Sequence, residues 1–138
     1  MEEFYTLPEI TFVAGERQTI VMNLWTPKPN AEPFNVNSCT INFSVINYSN
    51  KYGTPIISKI CVIQNNEDNI PCIAITELLP LETVTLFGKY IYQITIVDID
   101  GNTEIPNQGI IYIVNNINQG FIQNQILWGE INEHYIFS

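Results

Sequence analysis

Between Gly88 and Val114 the chain carries two runs of strict alternation, with Tyr90, Tyr92, Ile94 and Ile96 in the first and Ile110, Tyr112 and Val114 in the second. Successive side chains leave an extended strand on opposite sides, so an apolar residue at every second position lines one face of a strand. Between the runs lies Asp98-Ile99-Asp100-Gly101-Asn102, whose Asp, Gly and Asn tolerate the left-handed backbone of a tight reversal. The pattern predicts a β-hairpin joined through Asp100-Gly101-Asn102. A hairpin of this length exposes edges and one apolar face, and only further strands can cover them.

The rest of the chain supplies such strands. Glu9 to Val13 reads as a short first strand, and Ala14-Gly15-Glu16 breaks it from a second over Arg17 to Thr26, where Ile20, Met22 and Leu24 share a face opposite Thr19, Val21, Asn23 and Trp25. Pro27 to Pro33 is a Pro-rich connector that cannot sustain a ladder and must cross an edge or end of the fold. Cys39, Ile41, Phe43 and Val45 alternate along a third strand. Pro55 to Gln64, apolar on both faces, reads as a central fourth strand, and Ile70 to Thr76 as another, with Pro71 confined to its start or an edge. Glu77 to Phe87 is expected to be a short helical or irregular crossover. The count favours an all-β fold, an immunoglobulin-like antiparallel β-sandwich of about seven to eight strands with an extended C-terminal tail. The Cys, Trp, Cys pattern of antibody domains is missing, so such a sandwich rests on its core alone. The organisation expected is an N-terminal arm over 1–8, the sandwich over 9–115 and an assembly tail over 116–138.

Length and charge narrow the function. At 138 residues the chain has the size of one domain that folds without staples. Five Lys and Arg against 14 Asp and Glu give a net charge of -9, which repels phosphate backbones and anionic membranes. Nucleic acid and membrane are therefore not expected as partners. No stretch reaches the roughly 20 apolar residues of a membrane span, and the acidic start Met1-Glu2-Glu3 lacks a signal peptide's positive region. The expectation is a protein made in the cytosol that leaves it only as part of something larger. Cys39, Cys61 and Cys72 are odd in number and without CxxC spacing, which reads as buried thiols rather than a disulfide framework or zinc site.

No constellation for catalysis stands out. Asp98 to Asn102 alternates oxygen ligands as a calcium loop does, but it lacks the twelve-residue frame and terminal Glu, and a turn accounts for the same residues. His134 is the one histidine, with no nucleophile-elbow Ser in the chain, so neither a triad nor a histidine metal site is supported. Glu67 and Asp68 lie in a solvated turn. No enzyme activity, metal or cofactor is expected. Trp25, Tyr48, Tyr52, Tyr90, Tyr92, Tyr112 and Trp128 have the chemistry to stack on sugar rings, but the same residues suit half-buried strands and protein interfaces.

The tail is the candidate binding segment. Phe121, Ile122, Ile126, Leu127, Trp128, Ile131, Tyr135 and Phe137 make it too apolar for a free disordered end. These residues are expected to dock on a neighbouring subunit or partner, with Trp128 as the anchor. The rival reading folds the tail back as an eighth strand of its own sandwich.

Taken in order, Phe12 to Glu16, Pro33-Phe34-Asn35-Val36-Asn37-Ser38-Cys39-Thr40-Ile41-Asn42-Phe43, Gly88 to Ile94, Asp98 to Asn102 and Pro106 to Ile113 form a succession over Glu9 to Asn115. This succession resembles the immunoglobulin-like N-terminal domain of phage baseplate upper proteins. The resemblance implies a non-enzymatic virion structural module, assembled in the host cytoplasm and partnered by other phage virion proteins and copies of itself. Baseplate upper proteins usually continue into helical and receptor-linked parts. The chain ending at Ser138 therefore looks more like a stand-alone adaptor, fibre-anchoring or capsid surface protein, in tail or head. From another class, the alternative is a carbohydrate-binding or adhesin-type module that takes a host-surface glycan.

Overall fold

A computed structural model of the chain describes residues 9–26, 30–105 and 108–126. Its strands are β1 (Ile10–Val13), β2 (Gln18–Asn23), β3 (Thr40–Asn47), β4 (Ile57–Ile60), β5 (Val62–Asn65), β6 (Pro71–Leu78), β7 (Gly88–Val97), β8 (Thr103–Glu104) and β9 (Gln108–Val114). A single helical turn, α1 (Pro80–Thr83), links β6 to β7, and residues 119–126 form a tail helix.

The strands build two sheets. The larger has the order β1-β9-β7-β3-β4, with β8 continuing along β7, and the smaller has the order β2-β6-β5. β1 runs parallel to β9, and every other pairing is antiparallel. The result is an immunoglobulin-like β-sandwich. Alternation fills its interior: Ile41, Phe43 and Val45 of β3, Tyr90, Tyr92, Ile94 and Ile96 of β7, and Ile111 and Ile113 of β9 face Ile20, Met22, Ala74 and Leu78 of the smaller sheet. Phe43 and Tyr92 meet at 5.6 Å between ring centroids in a tilted arrangement. Burial of these side chains is the main stabilising term, at roughly 1.5–3 kcal/mol for each large one.

The hairpin forms, with a second arm in two pieces. Gly101 at φ 86° turns β7 into β8, which pairs with Ile96 and Val97, and β9 then takes up the same edge of β7 from Gln93 back to Gly88. Pro71 opens β6, where a missing N–H costs least. The crossover over 77–87 contains the short helix α1, with Pro80 in its first turn and the Leu79 N–H donating to Glu82 Oε1 at 2.8 Å.

Three expectations are corrected. In the second hairpin arm the alternating set Ile110, Tyr112 and Val114 is not the core face: β9 turns Ile111 and Ile113 inward and leaves Tyr112 and Val114 exposed. The segment 55–64 is not one central strand: it is β4 at the edge of the larger sheet and then β5 at the edge of the smaller, with the chain changing sheets at buried Cys61. Ile57, Cys61 and Ile63 supply the inward apolar residues, while Ile56, Ile60 and Val62 face solvent. Apolar residues on both faces therefore mark an exposed edge and not a covered centre. The tail does not add an eighth strand over the residues described, because 119–126 is helical.

Candidate functional site

The tail helix is pinned to one pole of the sandwich by a single asparagine. Asn116 Nδ2 donates to the Ala14 carbonyl at 2.7 Å, and its Oδ1 accepts the Asn118 N–H at 2.7 Å at the start of the helix. Gly15, at φ 88°, sits beneath: a Cβ there would meet Val84 at 3.3 Å and Ile122 Cδ1 at 3.4 Å. The Gly15 N–H donates to Oγ1 of fully buried Thr83 at 3.0 Å, which ties the β1–β2 turn to α1. The sequence therefore closes this pole with three short-range devices from three separate segments.

Of the tail residues expected to bind a partner, Ile122 and Ile126 are half-buried and Phe121 is exposed at 66%. Leu127, Trp128, Ile131, Tyr135 and Phe137 lie outside the described residues. Beside Phe121, Ile117 is 90% exposed, and the register partners Val13 and Val114 are also exposed. Phe87 joins them, preceding the Gly88 that pairs with Ile113. Five apolar side chains thus stand in solvent around the point where the tail leaves. Sequence reasoning singled out Phe121 but missed Val13, Phe87 and Ile117, which only the shared pole brings together.

A second surface lies on the outer face of the larger sheet. Register places Ile46, Ile91 and Ile110 side by side across β3, β7 and β9, and Ser44, Gln93 and Gln108 in the next row. The loop after β3 folds over these rows with Lys51, Tyr52 and Pro55 and leaves a groove of about 440 Å³. Gln108 Nε2 donates to Gln93 Oε1 at 2.6 Å, and Gln93 Nε2 to Thr95 Oγ1 at 3.2 Å, so the amides are held in one orientation. At the groove's end the Lys51 and Lys89 ammonium groups each lie 4.2 Å from the centre of the Tyr48 ring. Two of the chain's five cations gather here. The aromatics considered for stacking separate cleanly: Tyr90 and Tyr92 are core, whereas Trp25, Tyr48, Tyr52 and Tyr112 are exposed. Burial pushes the Tyr92 phenol up to about 12. The outward positions of β3 and β7 were implicit in the alternation, but that of Ile110 on β9 and the overhanging loop were not.

The remaining chemistry is structural. Asp98 Oδ1 accepts the N–H groups of Asp100 and Asn102, both at 2.9 Å, and Oδ2 accepts Asn102 Nδ2 at 3.2 Å. The backbone bond from Asn102 leads the interactions that hold this carboxyl below the usual carboxylate range. Its lone pairs serve the turn. Among the described residues no group of His, Cys, Asp and Glu is arranged to hold a metal ion. Cys61 and Cys72 are buried, Cys39 is partly so, and all three are free thiols. Burial raises the Cys61 thiol to about 11, far from a reactive thiolate at neutral pH. Across the sandwich edge Lys59 donates to the Glu77 carbonyl at 2.8 Å and pairs with Glu82, joining β4 to α1. No helix among the described residues is long and apolar enough to cross a membrane.

No family model matches the chain, and no curated protein does. Among solved structures it is similar to CopC from Methylosinus trichosporium OB3b, at 10% identity and a TM-score of 0.40, over 79% of this chain and 88% of that one. It is also similar to the fibronectin(III)-like modules of Clostridium thermocellum CbhA, at 15% identity and a TM-score of 0.38, over 83% of this chain and 98% of that one.

Proposed function

We propose that this chain is a non-enzymatic structural component of a phage particle, an immunoglobulin-like module that joins or anchors other particle proteins. Its place is the baseplate or tail, or the head as a fibre anchor or capsid decoration, and it acts by protein–protein contact alone. The observation that carries the assembly reading is the apolar pole. Val13, Phe87, Val114, Ile117 and Phe121 are exposed at the strand ends and helix from which an apolar tail leaves, and exposed apolar surface of this kind is what interaction sites present. The phage assignment is supported by the ordered resemblance to baseplate upper proteins. Sheet edges at β4 and β5, with Ile60 and Val62 in solvent, offer a further place for strand addition. Density-gradient purification of particles from the source culture tests the reading. The chain is expected to co-band with intact particles at a fixed ratio to the major capsid protein, and its complete absence from them would reject the proposal.

The groove favours one other reading, a carbohydrate-binding module. A fully exposed Tyr52 ring, two oriented glutamine amides and a serine hydroxyl around an apolar floor are groups that recognise a sugar. Glycan-array binding that Tyr52→Ala abolishes would favour it, and a blank array would remove it.

A further inference from the structure

The cations of the described residues divide into two pairs with different company. Arg17 meets Glu77 at 3.2 Å and Lys59 pairs with Glu82, each cation answered by a carboxylate. Lys51 and Lys89 have no carboxylate within salt-bridge distance among the described residues, in a chain with 14 acidic residues. Both ammonium groups gather instead on one ring, each 4.2 Å from the centre of Tyr48. The two charges are thus no more than twice that distance apart and repel each other, and the negative face of the ring offsets this only in part. An anion beside them relieves the repulsion.

This pair stands at one end of the groove on the outer face of the larger sheet. Lys51 lines the groove, and Lys89 points outward from β7 two residues before Ile91 of the groove floor. The loop that carries Lys51 and Tyr52 is held by its own backbone: the Asn50 N–H donates to the Asn47 carbonyl at 3.0 Å, Gly53 to Asn50 at 3.3 Å and Ile56 to Val45 at 2.8 Å. The Tyr48 N–H donates to the Lys89 carbonyl at 3.1 Å, which fixes the ring's backbone to β7. A site ordered in this way loses little affinity to ordering on binding.

Beside the charges, the groove offers groups suited to hydroxyls. Gln108 donates one Nε2 hydrogen to Gln93 and Gln93 donates one to Thr95, which leaves the Gln108 carbonyl oxygen and one N–H on each amide without a partner among the described residues. Saccharide hydroxyls both donate and accept, and the fully exposed Tyr52 ring presents a flat apolar face to a sugar ring. A peptide is served less well. β3, β7 and β9 each have a neighbouring strand on both sides, so a chain crossing this face finds no edge for strand addition. The net charge of -9 does not cancel the pair locally, because charges beyond a Debye length, about 8 Å at physiological ionic strength, are largely screened.

We propose that this groove binds an acidic saccharide: a sugar ring packs on Tyr52, its hydroxyls meet the Gln93 and Gln108 amides, and its carboxylate or phosphate accepts a hydrogen bond from Lys51, with Lys89 raising the local positive potential. The inference rests on the carbohydrate reading of the groove and adds the charge of the ligand. Lysine is a point charge without arginine's planar fork, so it serves either anion.

The test is a glycan array probed with the full-length chain. It carries uronic-acid, sialic-acid and sugar-phosphate oligosaccharides, each beside its carboxyl-reduced or dephosphorylated counterpart, together with Glu-rich peptides. Acidic glycans are expected to be retained over their neutral counterparts by at least about tenfold, the effect of one hydrogen bond to a charged group, and the series retained identifies the anion. Lys51→Gln is expected to remove that preference and Lys51→Arg to keep it, with Lys89→Gln weakening it by less. Both lysines are exposed, and an unchanged thermal unfolding curve shows that each variant stays folded. Equal retention of acidic and neutral glycans overturns the inference and leaves the carbohydrate reading standing, whereas a blank array removes both. An acidic preference that survives Lys51→Gln combined with Lys89→Gln puts the anion elsewhere and overturns the site. Retention of the Glu-rich peptides in place of glycans makes the ligand an acidic peptide and overturns it as well.

Discussion

Gly109 lies opposite Tyr92 in the β7–β9 ladder, and the phenol ring crosses the place where a side chain would begin. A Cβ at Gly109 would come within 2.5 Å of Tyr92 Cε1, and Tyr92 is almost fully buried with its ring tilted against Phe43, so any shift of the ring displaces core side chains. Gly109→Ala is expected to destabilise the fold by about 1–3 kcal/mol, the usual cost of overpacking a filled core, as read by urea unfolding. Asp98 gives a prediction in pH. Because its folded-state pKa lies below the unfolded one, its stabilisation of the turn is complete above the unfolded value and is lost as pH falls through the folded value. A carbon-detected NMR titration should place its midpoint below that of an unstructured aspartate, and Asp98→Asn should remove that acid-side change in turn stability. Inward residues of β3 and β7 such as Ile41 and Tyr92 were legible from alternation alone, whereas β9 was read in the wrong phase, because its Ile110–Val114 run is apolar at every position and its inward residues are Ile111 and Ile113. The contact of Gly109 with Tyr92 was not legible either, because it depends on a register between residues distant in sequence.

Elements meet at the pole through α1. Thr83 is fully buried with its hydroxyl accepting from the Gly15 N–H, and replacing it with valine keeps the volume but leaves that donor unpaired. Thr83→Val is expected to cost about 1–3 kcal/mol, measured by thermal unfolding, and hydrogen exchange at Gly15 should quicken ahead of exchange in β3 and β7. Most strands were readable from their period, and the turn at Asp98 to Asn102 from its residue types. The segment from Pro55 to Gln64 was misread for a physical reason. A strand that passes from one sheet to the other keeps Ile57, Cys61 and Ile63 inward throughout, and its exposed Ile60 and Val62 then resemble the second covered face of a central strand. The helical start of the tail was hidden likewise, since Ile117, Phe121 and Ile122 carry no period-two or caps strong enough to separate helix from strand in so short a run.

At the scale of the molecule, a sandwich closed by its own core leaves three features for contact: open sheet edges, a groove beneath Tyr52, and an apolar pole continued by the tail. The candidate site was legible in part. The tail's apolar content marked it in the sequence, but the pole that frames it combines residues from β1, the loop before β7, β9 and the tail helix, which only the topology assembles. A net charge of -9 sets the overall field of the chain against polyanions and toward cationic surfaces. The measurement that bears most directly on the proposed function is immunogold electron microscopy of purified particles with antibody against this chain. Gold concentrated at one structure, the tail tip or the head surface, is the predicted result and would also assign its place. Particles that carry no gold, while the same antibody binds the free protein, would contradict a virion role.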